Sequence, residues 1–416
     1  MKTNWNRLDN AAMLFPSANL GTDTLVFRFT CVLKEKIDQA TLQNALNETM
    51  LSFDIFRCVL KRGLFWYYLE HSEIKPIVRE EYHKLCAAIY DKRMKTLLFE
   101  VTYFETRINL EVSHILSDGT GATNFLTTLV SYYLSLRHGL EMPPVGFDAS
   151  YNQMQEDSFS KYYNGKDKLQ KVRRRRVCKL RGVRYPEDML RVITGHMSVS
   201  SLLEITHEKK SSLTAYLSAC LLNSIAEDIT VRQRKNPVSL CIPVNLRNFF
   251  PSQSARNFFS TITVVYDYSS GPADFDEVLA KVNEVFKEKL TREYLTGTLN
   301  SYTAAAHNPL AKIAPLFFKD IVLKIVYWRN KKRYTATFSN VGIIKIPEIF
   351  NNYIESFDVC NSTKSFQASV CSYRDNLSVS FTTPFINSDI ERIFYRMLSE
   401  HGIKITITSN TEGIEI

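Results

Sequence analysis

The sequence lacks any stretch of about twenty uncharged residues, the length that a helix needs to cross a bilayer. Its most apolar late segment, 313–328, is interrupted by Lys319, Asp320 and Lys324. The first seven residues contain no apolar run of the kind that signal peptides carry. We therefore expect neither a transmembrane segment nor a secretory signal.

The sequence also lacks a cysteine framework. Its eight cysteines form no C-x-x-C pair, and none clusters with histidines at the spacing of metal ligands. Scattered thiols are typical of proteins in a reducing compartment. We therefore predict free thiols, a cytoplasmic protein and no bound metal ion.

The excess of positive charge is confined to one segment. The net charge is +9, and residues 161–184 alone hold eleven Lys and Arg against one Asp, so the rest of the chain is near neutral. A protein built to bind nucleic acid has a basic face on its folded domain, so we expect no nucleic-acid partner. We predict a basic linker over 161–188, between an N-terminal lobe over 1–160 and a C-terminal lobe over 189–416. In the alternative interpretation, Arg173–Arg176 bind phosphates, an acidic carrier protein or an anionic membrane surface.

Strand-like and helix-like patterns alternate in both halves of the chain. Period-two or short apolar runs predict strands over 24–34, 57–60, 64–69, 97–104, 107–114, 189–200, 238–246, 258–268, 334–344, 365–373, 376–383 and 403–408. Helical spacing predicts helices over 38–51, 122–136, 212–229, 275–290, 310–328 and 389–401, and a short amphipathic turn that ends at Pro16. The mixture predicts an α/β protein with two layered lobes.

The segment 112–122 contains His114, Asp118 and Gly119 in the spacing H-x-x-x-D-G, between a predicted strand and a predicted helix. Such a corner presents a side chain to a cleft while both flanking elements hold the backbone. Imidazole is well matched to accepting a proton near neutral pH. Asp118 either orients the ring or holds the corner, and we expect Gly119 to adopt a conformation that a Cβ would resist. A general base and an ordinary loop histidine both remain open on these residues alone.

This segment resembles the HxxxDG signature of the acyltransferase superfamily, which includes chloramphenicol acetyltransferase, plant BAHD acyltransferases, alcohol acetyltransferases and condensation domains of nonribosomal peptide synthetases. Trp5, 7–12 and Phe15-Pro16 resemble the start of bacterial alcohol acetyltransferase-like and free-standing condensation-like proteins. Ser113 stands where condensation domains have a second histidine, and the DFGWG motif of BAHD enzymes is absent. The bacterial group is therefore the nearest resemblance.

The resemblance implies two chloramphenicol-acetyltransferase-like lobes, made of mixed sheets flanked by helices, with an active-site tunnel between them. It implies that His114 is the general base and that Asp118 is structural and pairs with an arginine. Arg247, at the end of a strand in Asn245-Leu246-Arg247, is the expected partner, and Asn245 is expected in the tunnel. A solvated surface turn is the alternative interpretation of this segment.

A second polar pair, Ser339-Asn340, follows the strand-like run 335–338. A hydroxyl or amide there is able to donate to the oxyanion that forms when a thioester carbonyl is attacked. The alternative is ordinary turn chemistry, which Ser and Asn also favour.

Together these features predict an acyltransferase that moves an acyl group from a thioester to a hydroxyl or amine acceptor. Acyl-CoA or acyl-phosphopantetheine is the expected co-substrate, and no permanently bound cofactor is implied. No Ser or Cys lies in a nucleophile-elbow pattern, so we expect direct attack without an acyl-enzyme. The alternatives are a condensation catalyst that uses acyl groups on a carrier protein, and a catalytically silent relative that only binds a ligand.

Overall fold

The computed structural model describes residues 5–18, 23–91, 93–144, 149–166, 175–186, 189–386 and 389–411. Within these ranges no helix is both long and apolar enough to cross a membrane. All eight cysteines lie in the described part of the chain and are buried. They are free thiols, as the sequence predicts.

The described residues form a mixed α/β structure. The strands are β1 (Trp5–Arg7), β2 (Val26–Leu33), β3 (Cys58–Arg62), β4 (Tyr67–His71), β5 (Arg79–Glu80), β6 (Phe99–Phe104), β7 (Arg107–Ser113), β8 (Arg191–Ser198), β9 (Val238–Asn245), β10 (Phe259–Tyr266), β11 (Ala336–Ile343), β12 (Ile354–Asn361), β13 (Gln367–Tyr373), β14 (Asn376–Thr383) and β15 (Ile405–Ser409). The helices are α1 (Phe15–Ala18), α2 (Gln39–Ser52), α3 (Gly119–His138), α4 (Tyr151–Met154), α5 (Ser158–Tyr162), α6 (Val199–Glu208), α7 (Leu213–Asp228), α8 (Val231–Arg234), α9 (Phe275–Lys289), α10 (Arg292–His307), α11 (Pro309–Ile313), α12 (Leu316–Lys331) and α13 (Ile390–Glu400).

The N-terminal half builds a five-stranded sheet in the order β12-β2-β7-β6-β5. Strand β12 comes from the second half of the chain and pairs antiparallel with β2. The division into 1–160 and 189–416 is therefore wrong for residues 354–361. The edge of β2 needs hydrogen-bond partners, and Phe357 and Val359 of β12 bury their side chains in the first core.

The second half builds a seven-stranded mixed sheet in the order β10-β9-β11-β13-β14-β8-β15. Strand β11 runs parallel to β9 and to β13, while the other neighbours are antiparallel. Helices α7, α9 and α13 contribute their buried faces to the second core. A separate three-stranded sheet, β1-β4-β3, lies in the N-terminal half.

Local sequence signals located most of these elements. Asp38 caps α2 by accepting from the Thr41 amide, and Ser212 caps α7 by accepting from the Ala215 amide. A side-chain oxygen at this position satisfies one of the free amides of a helix start. Both predicted helix starts are confirmed, and each predicted strand corresponds to an observed one within a few residues.

Two predictions of helix bounds were wrong, and each error involves a proline. The single helix predicted over 310–328 is two helices, α11 and α12, because Pro315 lies between them and cannot continue the hydrogen-bond ladder of α11. Pro16 does not end a helix, since it is the second residue of α1. Proline is tolerated in a first turn, where its missing N–H has no partner to lose.

The described part of the predicted linker lies along the second lobe. The amide of Cys178 donates to the Pro237 carbonyl at 2.8 Å. The Lys179 ammonium donates to the Tyr334 carbonyl at 2.6 Å. Arg175 pairs with Asp267 at 3.2 Å. The segment is thus attached to the folded lobe where it is described, while residues 167–174 lie outside the described ranges.

Candidate active site

His114 follows β7 directly and lies where the two lobes meet. Its amide donates to the Leu25 carbonyl at 2.9 Å. Its carbonyl accepts from the Asn257 side-chain amide, also at 2.9 Å. One partner precedes the first strand of the N-terminal sheet and the other belongs to the second half, so both lobes fix the backbone of this residue.

The ring of His114 is surrounded by aromatic side chains. The centroid of Phe27 lies 4.4 Å away, that of Phe15 5.7 Å away and that of Phe259 6.1 Å away. Burial among these rings lowers the pKa of His114, while the charge of Asp118 acts in the opposite direction. A lowered pKa keeps the imidazole neutral, which is the form that can accept a proton.

Asp118 is buried and uses both carboxylate oxygens in hydrogen bonds to other groups than the imidazole. Its Oδ1 accepts from the amides of Thr120 and Gly121, each at 3.1 Å, and so caps α3. Its Oδ2 accepts from Nη1 of Arg247 at 2.7 Å and from the Phe258 amide at 2.8 Å. Of the two roles left open by the sequence, these contacts favour holding the corner.

Arg247 lies two residues past the end of β9 and is mostly buried, with a side chain that is 10% exposed. Besides Asp118, it donates from Nη2 to the carbonyls of Ser254 at 2.8 Å and Arg256 at 2.6 Å. The neighbouring Asn245 accepts from the Arg247 amide. These bonds join the first-lobe corner to the 254–256 loop of the second half, so Arg247 is no solvated surface arginine.

Asn245 also contacts the first lobe. Its side-chain amide donates to the Thr120 hydroxyl at 3.1 Å, one residue past the start of α3. The structure therefore brings four predicted site residues, His114, Asp118, Arg247 and Asn245, to one junction between the lobes.

Sequence reasoning did not select Asn257 or Asp9 as site residues. Asn257 donates to the His114 carbonyl and also to Oδ2 of Asp9 at 3.0 Å. Asp9 is buried, and burial raises its pKa to about 6 although the charge of Arg256 opposes this. The sequence of segment 7–12 is noted above, but nothing in it indicates that it meets residues 256–259.

The structure requires glycine at Gly121, and the prediction for Gly119 was wrong. Gly119 begins α3 outside the left-handed region, and a Cβ there would meet only Val341 at 3.9 Å and Phe29 at 4.0 Å. A Cβ on Gly121 would lie 2.2 Å from the Ala255 carbonyl oxygen. The close approach of two segments, and not backbone conformation, therefore demands a glycine at this corner.

We expect Gly121→Ala to lower stability by about 1–3 kcal/mol, the typical result of overpacking. Gly119→Ala is the matched control, since it adds the same methyl to the same helix turn where there is room. Thermal melting of both variants measures the difference. Equal melting temperatures would contradict the role given to the contact with Ala255.

Ser339 and Asn340 lie on β11 and point to opposite faces of the second sheet, because side chains alternate along a strand. The Asn340 amide donates to the Thr214 hydroxyl of α7 at 2.8 Å, and its oxygen accepts from the Gly342 amide at 2.8 Å. The pairing of β11 with β13 shifts register between Asn340 and Gly342, so Val341, which lies 3.9 Å from the position of a Cβ on Gly119, stands in an irregular part of the strand. Asn340 is therefore bonded within the second lobe, and Ser339 lies on the opposite face of the sheet.

One cavity of the structure lies elsewhere. It has a volume of about 740 Å³ and is lined by residues of β8, α13 and β15, among them Ile193, Tyr395 and Ile405. None of its lining residues belongs to the H-x-x-x-D-G segment or to the Arg247 loop. The tunnel through the junction therefore stays a prediction.

His83 lies beside the N-terminal sheet and pairs with an acidic residue of β6. Its Nε2 lies 2.7 Å from Oε2 of Glu100, and this hydrogen bond raises the pKa of His83 to about 9. Glu100 faces Glu111 across β6 and β7, and Arg28 donates from Nε to Glu111 at 2.8 Å. The two cationic side chains offset the repulsion between the two facing carboxylates.

No protein-family model and no curated protein matches the sequence. Solved structures do match over nearly the whole chain. Polyketide synthase associated protein 5 from Mycobacterium tuberculosis has a TM-score of 0.63 and 14% identity, covering 94% of this chain and 96% of that chain. Trichothecene 15-O-acetyltransferase from Fusarium sporotrichioides has a TM-score of 0.63 and 10% identity, covering 95% and 94%. The starter condensation domain of rhizomide synthetase, in complex with C8-CoA, has a TM-score of 0.65 and 12% identity, covering 95% and 94%.

The predicted fold class is confirmed by these similarities. The chain has the two-lobed fold of the starter condensation domain and of the trichothecene acetyltransferase. At this level of identity the similarity concerns the fold, and the chemistry must be argued from the residues at the junction.

Proposed function

We propose that this two-lobed protein is an acyltransferase, which moves an acyl group from a thioester, acyl-CoA, to a hydroxyl or amine acceptor. The observation that carries the proposal is His114, whose ring lies among apolar side chains at the lobe junction with a lowered pKa and a backbone held from both lobes. The acetyltransferase and the C8-CoA-bound condensation domain among the similar folds support it.

In the proposed reaction, His114 removes the proton of the acceptor as the acceptor attacks the thioester carbonyl. A tetrahedral oxyanion forms, the carbon–sulfur bond breaks, and the thiolate leaves with the proton that the imidazolium returns. The acceptor bonds directly to the acyl carbon, so no acyl-enzyme forms. Asp118 and Arg247 hold the corner that carries the base and do not touch the reacting atoms.

Ser339 is the proposed donor to the oxyanion. We expect Ser339→Ala to lower kcat by on the order of 10², the usual cost of removing one such donor. Asn340→Ala is the matched control, because its side chain binds Thr214 on the other face of the sheet. Steady-state rates and melting temperatures of both variants test the assignment. A larger kcat loss in the Asn340 variant than in the Ser339 variant would reverse it.

The activity itself is tested by measuring free thiol released from several acyl-CoAs in the presence of pooled alcohols and amines. The protein suits this assay, since all eight of its own thiols are buried and react slowly with a thiol reagent. Acceptor-dependent release that disappears in His114→Ala is the expected result. Release that does not depend on an acceptor, or that survives the substitution, would contradict the proposal.

The alternative candidate is a condensation-type catalyst that takes its acyl group from a carrier protein. Condensation domains are among the similar folds, and the basic segment that begins at Lys161 would suit an acidic carrier. Ser113 disfavours it, because this buried serine stands at the position of the second histidine of condensation domains. Turnover of an acyl-carrier protein with no turnover of acyl-CoA would establish this alternative.

A further inference from the structure

Helix α12 carries a large apolar surface that faces solvent. Monomeric proteins rarely leave a contiguous apolar face of this kind uncovered, and such faces mark sites of interaction. Its exposed apolar side chains are 39 to 61% accessible and follow one another at helical spacing: Phe317, Phe318, Ile321, Val322, Ile325, Val326 and Trp328.

The charges around this surface have one sign. Between Pro309 and Arg333 the chain has seven Lys and Arg and a single acid, Asp320. Asp320 turns toward the protein, where it accepts from the hydroxyls of Ser17 at 2.7 Å and Tyr67 at 3.1 Å. The outward face therefore presents apolar and basic groups without a carboxylate from this segment.

The opposite face of α12 is fixed to the first lobe. Leu316 is buried, and the Lys319 ammonium donates to the Phe65 carbonyl at 2.9 Å. The Tyr327 hydroxyl donates to Asp23 at 2.8 Å. The helix cannot turn its apolar face inward without breaking these polar contacts, so the exposure is a fixed feature of the fold.

We propose that the outer face of α12 docks on an anionic lipid bilayer. The apolar side chains would enter the boundary between headgroups and acyl chains, while Lys324, Arg329 and Lys332 would contact the phosphates. Charge complementarity selects this occupant, because the surface is apolar and basic in the way of helices that lie in the plane of a membrane interface. The Lys332 ammonium lies 3.2 Å from the ring centroid of Trp328, which places a cation and an amphipathic ring together at one end of the face.

Lys179 of the basic segment lies beside the C-terminal end of α12. Lys179 donates to the carbonyls of Lys331 at 3.2 Å and Tyr334 at 2.6 Å, at the C-terminal end of α12. Lys179, one of the eleven Lys and Arg of 161–184, is therefore bonded beside the apolar face. This contact places Lys179 at the edge of the docking surface.

Helix α12 packs on α1, and α1 contains Phe15, whose ring is 5.7 Å from His114. A bilayer on the outer face would thus lie one helix layer away from the junction. If the acyltransferase proposal holds, on which this last step rests, the class of substrate is a lipid drawn from the membrane. The docking itself does not depend on that activity.

Flotation with vesicles tests the docking without any turnover. The full-length protein is mixed with vesicles of phosphatidylcholine alone, or of phosphatidylcholine with phosphatidylglycerol, and we expect binding to the anionic vesicles that weakens with salt. The triple variant Phe317→Ser, Ile321→Ser, Ile325→Ser should lower the partition coefficient by about tenfold or more. Lys324→Gln, Arg329→Gln, Lys332→Gln should lower binding to the anionic vesicles alone.

A matched control replaces three equally exposed apolar residues on other helices. Leu51, Leu136 and Val231 are 70, 50 and 79% exposed, and serine at all three positions should leave vesicle binding unchanged. Binding that is the same in the α12 variant and the control would overturn the proposal, as would no binding of the wild type to either vesicle. Light scattering that shows a dimer lost in the α12 variant would assign the face to a second copy instead, and capture of an acidic carrier protein lost in that variant would assign it to the carrier.

Discussion

Replacing His114 by alanine is expected to lower kcat by about 10² to 10⁴, the range for loss of a general base. The melting temperature should stay near that of the wild type, because the contacts that hold this residue, to Leu25 and Asn257, are made by its backbone. Steady-state thiol release and thermal melting measure the two effects. His207→Ala is the control, since that histidine is exposed on α6.

The pH profile gives an independent readout of the same residue. Burial lowers the pKa of His114, so the neutral imidazole persists below the ordinary value of 6.5. We therefore expect kcat to stay level as the pH falls through 6.5 and to decline only at lower pH, where the ring becomes protonated. Full turnover in the alanine variant would show that His114 is not the general base. A kcat that already declines above pH 6.5 as the pH is lowered would show the same.

Removing either partner of the buried ion pair between Asp118 and Arg247 is expected to cost on the order of 3–5 kcal/mol of unfolding free energy. Each single alanine variant leaves an uncompensated charge at the junction, and Asp118→Ala also removes the N-cap of α3. Activity should fall together with stability, because the corner that carries His114 is no longer bonded to the second lobe through Arg247. Denaturant unfolding of both single variants and the double variant measures the cost.

A double-mutant cycle separates the pair from its surroundings. The loss in the double variant should be smaller than the sum of the single losses, since no unpaired charge remains. The exposed pair Lys281 and Glu284 is the matched control, and its removal should cost under about 1 kcal/mol. Additive losses at Asp118 and Arg247 would show that the 2.7 Å contact contributes no coupling energy.

The junction was only partly predictable from the sequence. His114 and Asp118 were found because H-x-x-x-D-G is a local pattern at a strand end, and Arg247 because a family resemblance supplied its partner. The sequence offered Ser339 and Asn340 as equal candidates for the oxyanion donor. Only the hydrogen bond from Asn340 to Thr214 of α7 distinguishes them. Alternation along a strand shows that neighbours face opposite sides, but not which side faces the other lobe.

The sequence by itself determined the local elements. Strand alternation, helical spacing and capping side chains such as Asp38 and Ser212 act between residues a few positions apart, so they can be read without knowledge of the fold. The corner between β7 and α3 belongs to this class. Its histidine and aspartate are both identifiable from the sequence alone.

Only the tertiary structure decided what meets across the junction. Strand β12 pairs with β2 over three hundred residues away in sequence, and Gly121 is required because Ala255 approaches it from the other half of the chain. Asp9 joins the same junction through Asn257. Such contacts depend on how segments far apart in sequence pack together, and no periodicity within either half of the chain encodes which surfaces come together.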